Sequence, residues 1–135
     1  MKGLLADNDV QGQLALVVKI WQGPEWRFVW EALALTIHAF ADVGLAPDAE
    51  DTEIWRKCQA LDIALLTANR NDDGPLSLTA TIRDENTAAC LPVFTIGNAK
   101  RVLVDKAYAK QVAVKLLEYL LDIEQYRGAG RLYVP

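Results

Sequence analysis

Histidine and cysteine are scarce in this sequence of 135 residues, which contains one histidine, His38, and two cysteines, Cys58 and Cys90. The single histidine lies inside a predicted strand, so no Ser-His-Asp or Cys-His catalytic arrangement is expected, and His38 is predicted to be a packed side chain. The cysteines are far apart, form no CxxC motif and have no histidine beside them. They indicate buried thiols in a reducing cytoplasm, and neither a zinc site nor a disulfide framework.

Long apolar runs and an excess of positive charge are also missing. No segment approaches the roughly 18 consecutive apolar residues of a membrane span. The first residues lack the long apolar region and the cleavage site of a signal peptide. We therefore expect a cytoplasmic protein with no membrane contact. A net charge of −4 argues against sequence-independent nucleic-acid binding over the whole surface, but leaves room for a local basic patch.

The sequence is rich in apolar residues, at 52%, and its length suits one folded domain over residues 1–135. Short apolar runs alternate with amphipathic segments, and no repeat or linker interrupts them. This alternation predicts a three-layer α/β/α sandwich with a mostly parallel central sheet. The predicted strands are a first run ending at Ala6, then 35–41, 63–67 and 92–96, with a possible edge strand at 131–134.

The last predicted helix is long, from about Asn98 to Tyr126, and carries two apolar stripes. One sheet face does not usually cover two stripes. We therefore expect this helix and the segment 132–134 to bury apolar area in a homodimer. The stripes are Val112, Leu116, Leu120 and Ile123, and beside them Ala109, Ala113, Leu117 and Leu121.

Clusters of acids and amides follow the predicted strands or begin the predicted helices. Because the carboxyl ends of parallel strands meet at one edge of a sheet, these clusters could converge there. Converging carboxylates repel one another unless a cation neutralises them. Ligation by oxygen alone favours Mg²⁺ or Mn²⁺, and hence metal-assisted attack of water on a phosphodiester. The clusters are Asp7/Asn8/Asp9, Asp48/Glu50/Asp51/Glu53 and Asn69/Asn71/Asp72/Asp73.

A structural explanation is open for two of these clusters. Asp9 could cap the first helix while Asp7 is solvated. The acids at 48–53 could likewise cap the third predicted helix and favour the positive end of its dipole.

Three segments resemble PIN-like proteins, in the order and rough spacing of that family. Leu5-Ala6-Asp7-Asn8-Asp9-Val10 resembles an opening strand of the form hydrophobic-Ala-Asp-Glu-Asn-Ile. Glu50-Asp51-Thr52-Glu53-Ile54-Trp55 is similar to the family's Asp-x-Glu-Ile helix start. Leu65-Leu66-Thr67-Ala68-Asn69-Arg70-Asn71 resembles its Leu-Leu-Thr-x-Asp-Arg-Asp-Phe segment. All three segments lie within residues 1–73, and the nearest variant is a small stand-alone group related to toxin ribonucleases.

The resemblance implies an α/β/α sandwich with a Mg²⁺- or Mn²⁺-dependent ribonuclease site, RNA as substrate and, for a toxin, an antitoxin-like partner. Asp7 and Asp51 match the family's first two acids. The third acid is replaced by Asn69, and Asp72 or Asp73 is the nearest substitute. The expected catalytic residues are Asp7, Asp51, Asn69 and Asp72, the metal ligands Asp7, Asp51 and Asp72, and the substrate-binding residues Asn8, Thr67 and Arg70.

An amide ligand carries no negative charge, so Asn69 leaves the function open between two classes. The first is a metal-dependent ribonuclease. The second is a PIN-like module that has lost hydrolysis and serves as a binding or interaction protein. A weaker third interpretation is a receiver-like phospho-acceptor, in which Asp7 and Asp9 hold Mg²⁺ and Asp42 takes the phosphoryl group, but no lysine partner is evident at a later strand end.

Overall fold

The computed structural model describes residues 1–135, and five of its segments form a single sheet. The strands are β1 (Gly3–Ala6), β2 (Thr36–His38), β3 (Ile63–Thr67), β4 (Val93–Ile96) and β5 (Arg131–Val134). All neighbouring strands are parallel, in the order β2-β1-β3-β4-β5. The helices are α1 (Gln11–Trp21), α2 (Arg27–Leu33), α3 (Asp51–Leu61), α4 (Leu78–Glu85), α5 (Ala99–Val104) and α6 (Lys106–Leu121).

Two apolar cores lie on opposite faces of this sheet, because alternate residues of a strand point to opposite sides. Leu4 and Leu66 belong to the core beneath α1, α5 and α6. Leu5 and Leu65 belong to the smaller core beneath α3 and α4. β1 and β3 are therefore buried on both faces, as their continuous apolar runs predict. The predicted three-layer α/β/α sandwich is confirmed.

The strand order places a topological switch point between β1 and β3. In open parallel sheets of this order, the connections leave these two strands toward opposite sides, which opens a crevice at their carboxyl ends. Asp7 directly follows β1, and Asn69 lies two residues beyond β3. The fold thus brings two of the predicted polar clusters to the same crevice.

The long C-terminal helix predicted over 98–126 is wrong, because a side-chain cap at Asp105 divides the segment into α5 and α6. The Asn98 carboxamide oxygen accepts a hydrogen bond from the Arg101 N–H (3.1 Å) and begins α5. Asp105 leaves helical geometry with φ −127°, and its carboxylate accepts from the Tyr108 N–H (3.1 Å) to begin α6. Asp105 thus ends one helix and starts the next.

Both apolar stripes of α6 are covered within one chain, which removes the observation that predicted a homodimer. The sheet covers one side of α6, and α1 and α5 pack against the rest. The Trp21 indole N–H even donates to the Ala113 carbonyl oxygen (2.8 Å) across the α1–α6 contact. Of the residues in the two stripes, only Leu121 is exposed.

Of the two outer strands, β2 differs from prediction and β5 does not. β2 ends at His38, because Phe40 turns into a 3-10 helix (Phe40–Val43) and is buried in the smaller core. His38 is half-buried at the end of this strand. The predicted edge strand at 131–134 is confirmed as β5, parallel to β4. None of the helices combines the length and apolar character of a membrane-spanning segment.

Candidate acidic site at the carboxyl end of the sheet

Asp7 is anchored by both of its carboxylate oxygens. Oδ1 accepts a hydrogen bond from the Asn8 N–H (2.8 Å) and so caps the 3-10 turn Asn8–Val10. Oδ2 accepts from the Thr67 hydroxyl (2.8 Å), at the end of β3. The interpretation in which Asp9 caps and Asp7 is solvated is therefore wrong, since Asp7 is half-buried and makes the cap.

The environment of Asp7 disfavours its negative charge. Burial raises the pKa of its carboxyl group, the hydrogen bonds from Thr67 and Asn8 act in the opposite direction, and the negative charge of Asp51 raises it further. The net shift is upward. A raised carboxyl pKa with a charged acidic neighbour is what a cation would relieve.

Asp51 is the only acid of its cluster that turns inward. It is half-buried in the first turn of α3, whereas Asp48, Glu50 and Glu53 are exposed. Its Oδ2 accepts hydrogen bonds from the Asn69 side-chain amide (3.0 Å) and from the Leu78 N–H (3.1 Å) at the start of α4. Asp51 therefore ties the third helix to the segment after β3 and to the fourth helix.

A continuous hydrogen-bond chain joins Asp7 to Asp51. The Thr67 hydroxyl donates to Asp7 and accepts from the Asn69 backbone N–H (2.9 Å), and the Asn69 side chain donates to Asp51. We call these four residues the acidic edge. It is assembled from the ends of β1 and β3 and the start of α3, at the switch point of the sheet.

Asn69 faces Asp51 with its N–H₂ group and not with its oxygen. Its Oδ1 accepts from the Asn71 backbone N–H (2.8 Å), and a backbone N–H can only donate. This assigns the orientation of the amide, which otherwise has to be inferred from its partners. At the position where the resemblance expects a third carboxylate, the structure thus has a hydrogen-bond donor.

Asp9 lies at the rim of the acidic edge, exposed, in the 3-10 turn after Asp7. Partial removal of water from around its carboxyl group raises its pKa, and the negative charges of Asp7 and Asp51 contribute. It is the third carboxylate within electrostatic reach, a role that the sequence analysis gave to Asp72.

Asp72 and Asp73 do not take part in the acidic edge. Both are exposed in the loop after β3, and the Asp73 N–H donates to the Asn71 side-chain oxygen (2.9 Å). The predicted role of Asp72 as catalytic residue and metal ligand therefore has no structural support. The reason is local: the turns at Asn69 and Asn71 direct the chain outward before Asp72.

The predicted substrate-binding residues have different environments. Thr67 is fully buried and positions Asp7, so it cannot reach a substrate. Asn8 is exposed, but its amide donates to the Pro47 carbonyl oxygen (2.9 Å) and holds the loop before α3. Arg70 is exposed beside the acidic edge. Of the three, only Arg70 remains suited to contact a phosphate.

Arg131 is the residue that sequence reasoning missed. It begins β5, yet its guanidinium donates to the Asn69 carbonyl oxygen (2.8 Å) and to the hydroxyls of Thr95 (2.6 Å) and Thr79 (3.2 Å). No local pattern marks this reach, because it depends on β5 pairing with β4.

The oxygen ligands at the acidic edge and its rim are of the kind that a divalent cation binds, but they are few. Asp7, Asp51 and Asp9 offer carboxylate oxygens, the ligands that Mg²⁺ and Mn²⁺ prefer. Oδ1 of Asp51 accepts no protein hydrogen bond. However, no group of three or more His, Cys, Asp or Glu side chains is arranged to hold a metal ion. A cation here would be held by two carboxylates, with Asp9 at the rim.

Asp42, the phospho-acceptor of the receiver-like interpretation, lies after the edge strand β2. Its Oδ2 accepts from the Ala39 N–H (2.7 Å) and caps the 3-10 helix.

Comparisons of this chain with protein-family models, curated proteins and solved structures found no match. The resemblance to PIN-like proteins therefore stays a prediction.

Proposed function

We propose that this protein is a PIN-like ribonuclease of low activity that depends on Mg²⁺ or Mn²⁺, with Asp7 and Asp51 as its principal carboxylates. The observation that carries the proposal is the hydrogen-bond chain from Asp7 through Thr67 and Asn69 to Asp51. It holds two acids from distant parts of the sequence at the switch point, where parallel sheets bind ligands.

Each residue has a role that follows from its contacts. Thr67 and the Asn8 N–H hold the Asp7 carboxylate in place, and the Leu78 N–H does so for Asp51. Exposed Arg70 would bind an RNA phosphate beside these acids. A divalent cation held by Asp7 and Asp51 would supply an activated water and neutralise charge on the phosphate. With two principal carboxylates the cation is held weakly, so cleavage is slow.

A cytoplasmic location and the partners belong to the proposal as well. Cys58 and Cys90 are both free thiols, in keeping with a reducing compartment. An antitoxin-like protein and a second copy of the chain are partners that the toxin-type resemblance and the apolar stripes of α6 suggested. The acidic edge is built from one chain and needs neither of them.

A second candidate is a PIN-like module that binds without hydrolysis. The specific observation in its favour is the Asn69 amide, which donates a hydrogen bond to the Asp51 oxygen that a cation would otherwise bind. In this case hydrogen bonds from the protein itself satisfy the carboxylates of the acidic edge.

Cleavage of a labelled single-stranded RNA, with Mn²⁺ and with chelator, separates the two candidates. A ribonuclease gives slow, Mn²⁺-dependent cleavage that Asp7→Asn abolishes. The control is Asp84→Asn, because Asp84 is exposed on α4 and pairs only with Arg83. Cleavage that Asp7→Asn leaves unchanged would not come from the acidic edge and would contradict the proposal. No cleavage by any variant, Asn69→Asp included, would favour the binding module.

A further inference from the structure

Arg131 brings a charged group from the C-terminal strand to the acidic edge. Its Nη1 donates to the Asn69 carbonyl oxygen and to Thr95 Oγ1, and its Nη2 donates to Thr79 Oγ1. Thr95 is fully buried in β4, and Thr79 belongs to α4. One guanidinium thus links β5, β4, α4 and the segment after β3.

All three acceptors of Arg131 are neutral, which sets it apart from the other half-buried arginine, Arg127. Arg127 pairs with the carboxylates of Asp62 and Glu124. Arg131 makes no ion pair within hydrogen-bond distance, and burial lowers its pKa. Arginine nevertheless stays protonated in proteins. After burial and the charges of Tyr133 and Arg70, the Asp51 carboxylate also acts on the Arg131 pKa, in the upward direction.

The contacts of Arg131 act on Asp51 in two ways. Arg131 holds the Asn69 carbonyl, and Asn69 in turn donates its amide to Asp51 Oδ2. The guanidinium also bonds Asn69, one partner of Asp51, and Thr79, the neighbour of its other partner Leu78, which brings its fixed positive charge close to that carboxylate. Both effects compete with a dication, one by occupying a carboxylate oxygen and the other by repulsion.

We propose that Arg131 is a positioning residue and an internal counter-charge, which, through Asn69, keeps the acidic edge in a state with low affinity for divalent cations. This inference rests on the proposed function, because it concerns the same carboxylates. It also assigns a role to a residue in the C-terminal half, where no motif pointed to the site.

The test measures Mn²⁺ binding from the electron paramagnetic resonance signal of free Mn²⁺, for Arg131→Met and Arg131→Lys. Methionine removes the charge and the hydrogen bonds, and we expect it to tighten Mn²⁺ binding about fivefold, as loss of one nearby positive charge should. Lysine keeps the charge but cannot hold all three acceptors, so its affinity should lie between those of wild type and Arg131→Met. Arg127→Met is the matched control and should bind Mn²⁺ like wild type.

A second readout needs no metal. In ¹⁵N-labelled protein without Mn²⁺, the Asn69 side-chain amide resonances should shift in Arg131→Met and Arg131→Lys, and not in Arg127→Met. This keeps the inference testable by Arg131→Lys if Arg131→Met does not fold. If wild type does not cleave RNA but Arg131→Met binds Mn²⁺ more tightly than wild type, the proposed function fails and the inference stands.

If Arg131 only stabilised the structure, its replacement would loosen the site and weaken Mn²⁺ binding, which is the opposite result. The inference is overturned if folded Arg131→Met binds Mn²⁺ no more tightly than wild type. It is also overturned if Arg127→Met gives the same gain, or if the Asn69 amide resonances do not move.

Discussion

The carboxyl groups of Asp62 and Asp7, at opposite ends of the sheet, have pKa values shifted in opposite directions. At the amino end, Asp62 precedes β3 and joins Arg127 and Glu124 in an ion-paired corner. Burial alone would raise the pKa of Asp62, but hydrogen bonds from the Met1 amino group and Arg127 outweigh it, and the pKa is lowered. At the carboxyl end, Asp7 has only neutral hydrogen-bond donors and an acidic neighbour, and its pKa is raised.

The difference separates acids that stabilise this fold from acids that the fold only tolerates. A carboxylate with a lowered pKa adds stability at neutral pH, and one with a raised pKa removes some. Carboxyl groups whose pKa is raised by burial and by a neighbouring negative charge in a crevice are typical of functional sites. The ion-paired corner is therefore structural, and the acidic edge is the candidate site.

The largest expected effect is that substitutions in the two regions change different properties, Mn²⁺ affinity for the acidic edge and melting temperature for the ion-paired corner. Asp51→Asn keeps an oxygen that accepts from Asn69 and Leu78 but loses the charge, so Mn²⁺ affinity should fall at least about tenfold with little change in melting temperature. Arg127→Met leaves Glu124 unpaired and Asp62 with the Met1 amino group alone, and should lower the melting temperature by a few degrees while Mn²⁺ binding is unchanged. Calorimetric Mn²⁺ titration and thermal unfolding measure the two effects. Loss of both properties in both variants would show that the regions are not separable.

The next effect concerns the missing third carboxylate. Asn69→Asp replaces a donor to Asp51 by an anionic ligand, and we expect Mn²⁺ affinity to rise about tenfold and RNA cleavage to rise with it. Asn71→Asp, in the exposed loop, is the control for added negative charge. Equal gains in the two variants would mean that general charge is sufficient and that position 69 is not special.

A smaller effect is a pH dependence of stability that comes from Asp7. The pKa of Asp7 in the folded protein lies above the ordinary value of 3.8. Between pH 3.8 and the raised pKa of the folded state, the folded protein therefore binds more protons than the unfolded chain. Stability from this group is therefore highest at low pH and declines as pH rises through that window. Relative to wild type, Asp7→Asn should gain stability between pH 3.8 and neutrality. Urea unfolding across this range checks the sign, and a relative loss would contradict the environment described for Asp7.

The smallest effect is expected at Asp72. Because this carboxylate is exposed and screened by solvent, Asp72→Asn should change Mn²⁺ affinity by less than about twofold. A loss as large as that of Asp51→Asn would mean that the loop after β3 folds inward when a cation binds.

The local apolar pattern was sufficient to predict the elements whose own sequence shows which faces are buried. β1 and β3 are apolar runs buried on both faces, as their sequences predict. The same pattern failed at Asp105, where one cap divides a continuous apolar periodicity into two helices.

The site was predictable only where a residue directly follows a strand or begins a helix. The local pattern placed the clusters of Asp7 and Asp51 at such positions, and the resemblance to PIN-like proteins then singled out these two acids. The orientation of the Asn69 amide, the outward course of Asp72 and the reach of Arg131 depend on hydrogen bonds between distant segments. Such contacts leave no periodic trace in a sequence.

The most direct test of the acidic edge is a crystal of the wild-type protein soaked in Mn²⁺ and measured for anomalous scattering. We expect one partly occupied peak between the carboxylates of Asp7 and Asp51, with the Asn69 amide turned away from Asp51. The same soak of Asn69→Asp crystals should give a stronger peak at the same place. A peak elsewhere on the protein, or none at a saturating concentration in either crystal, would show that the acidic edge is not a cation site.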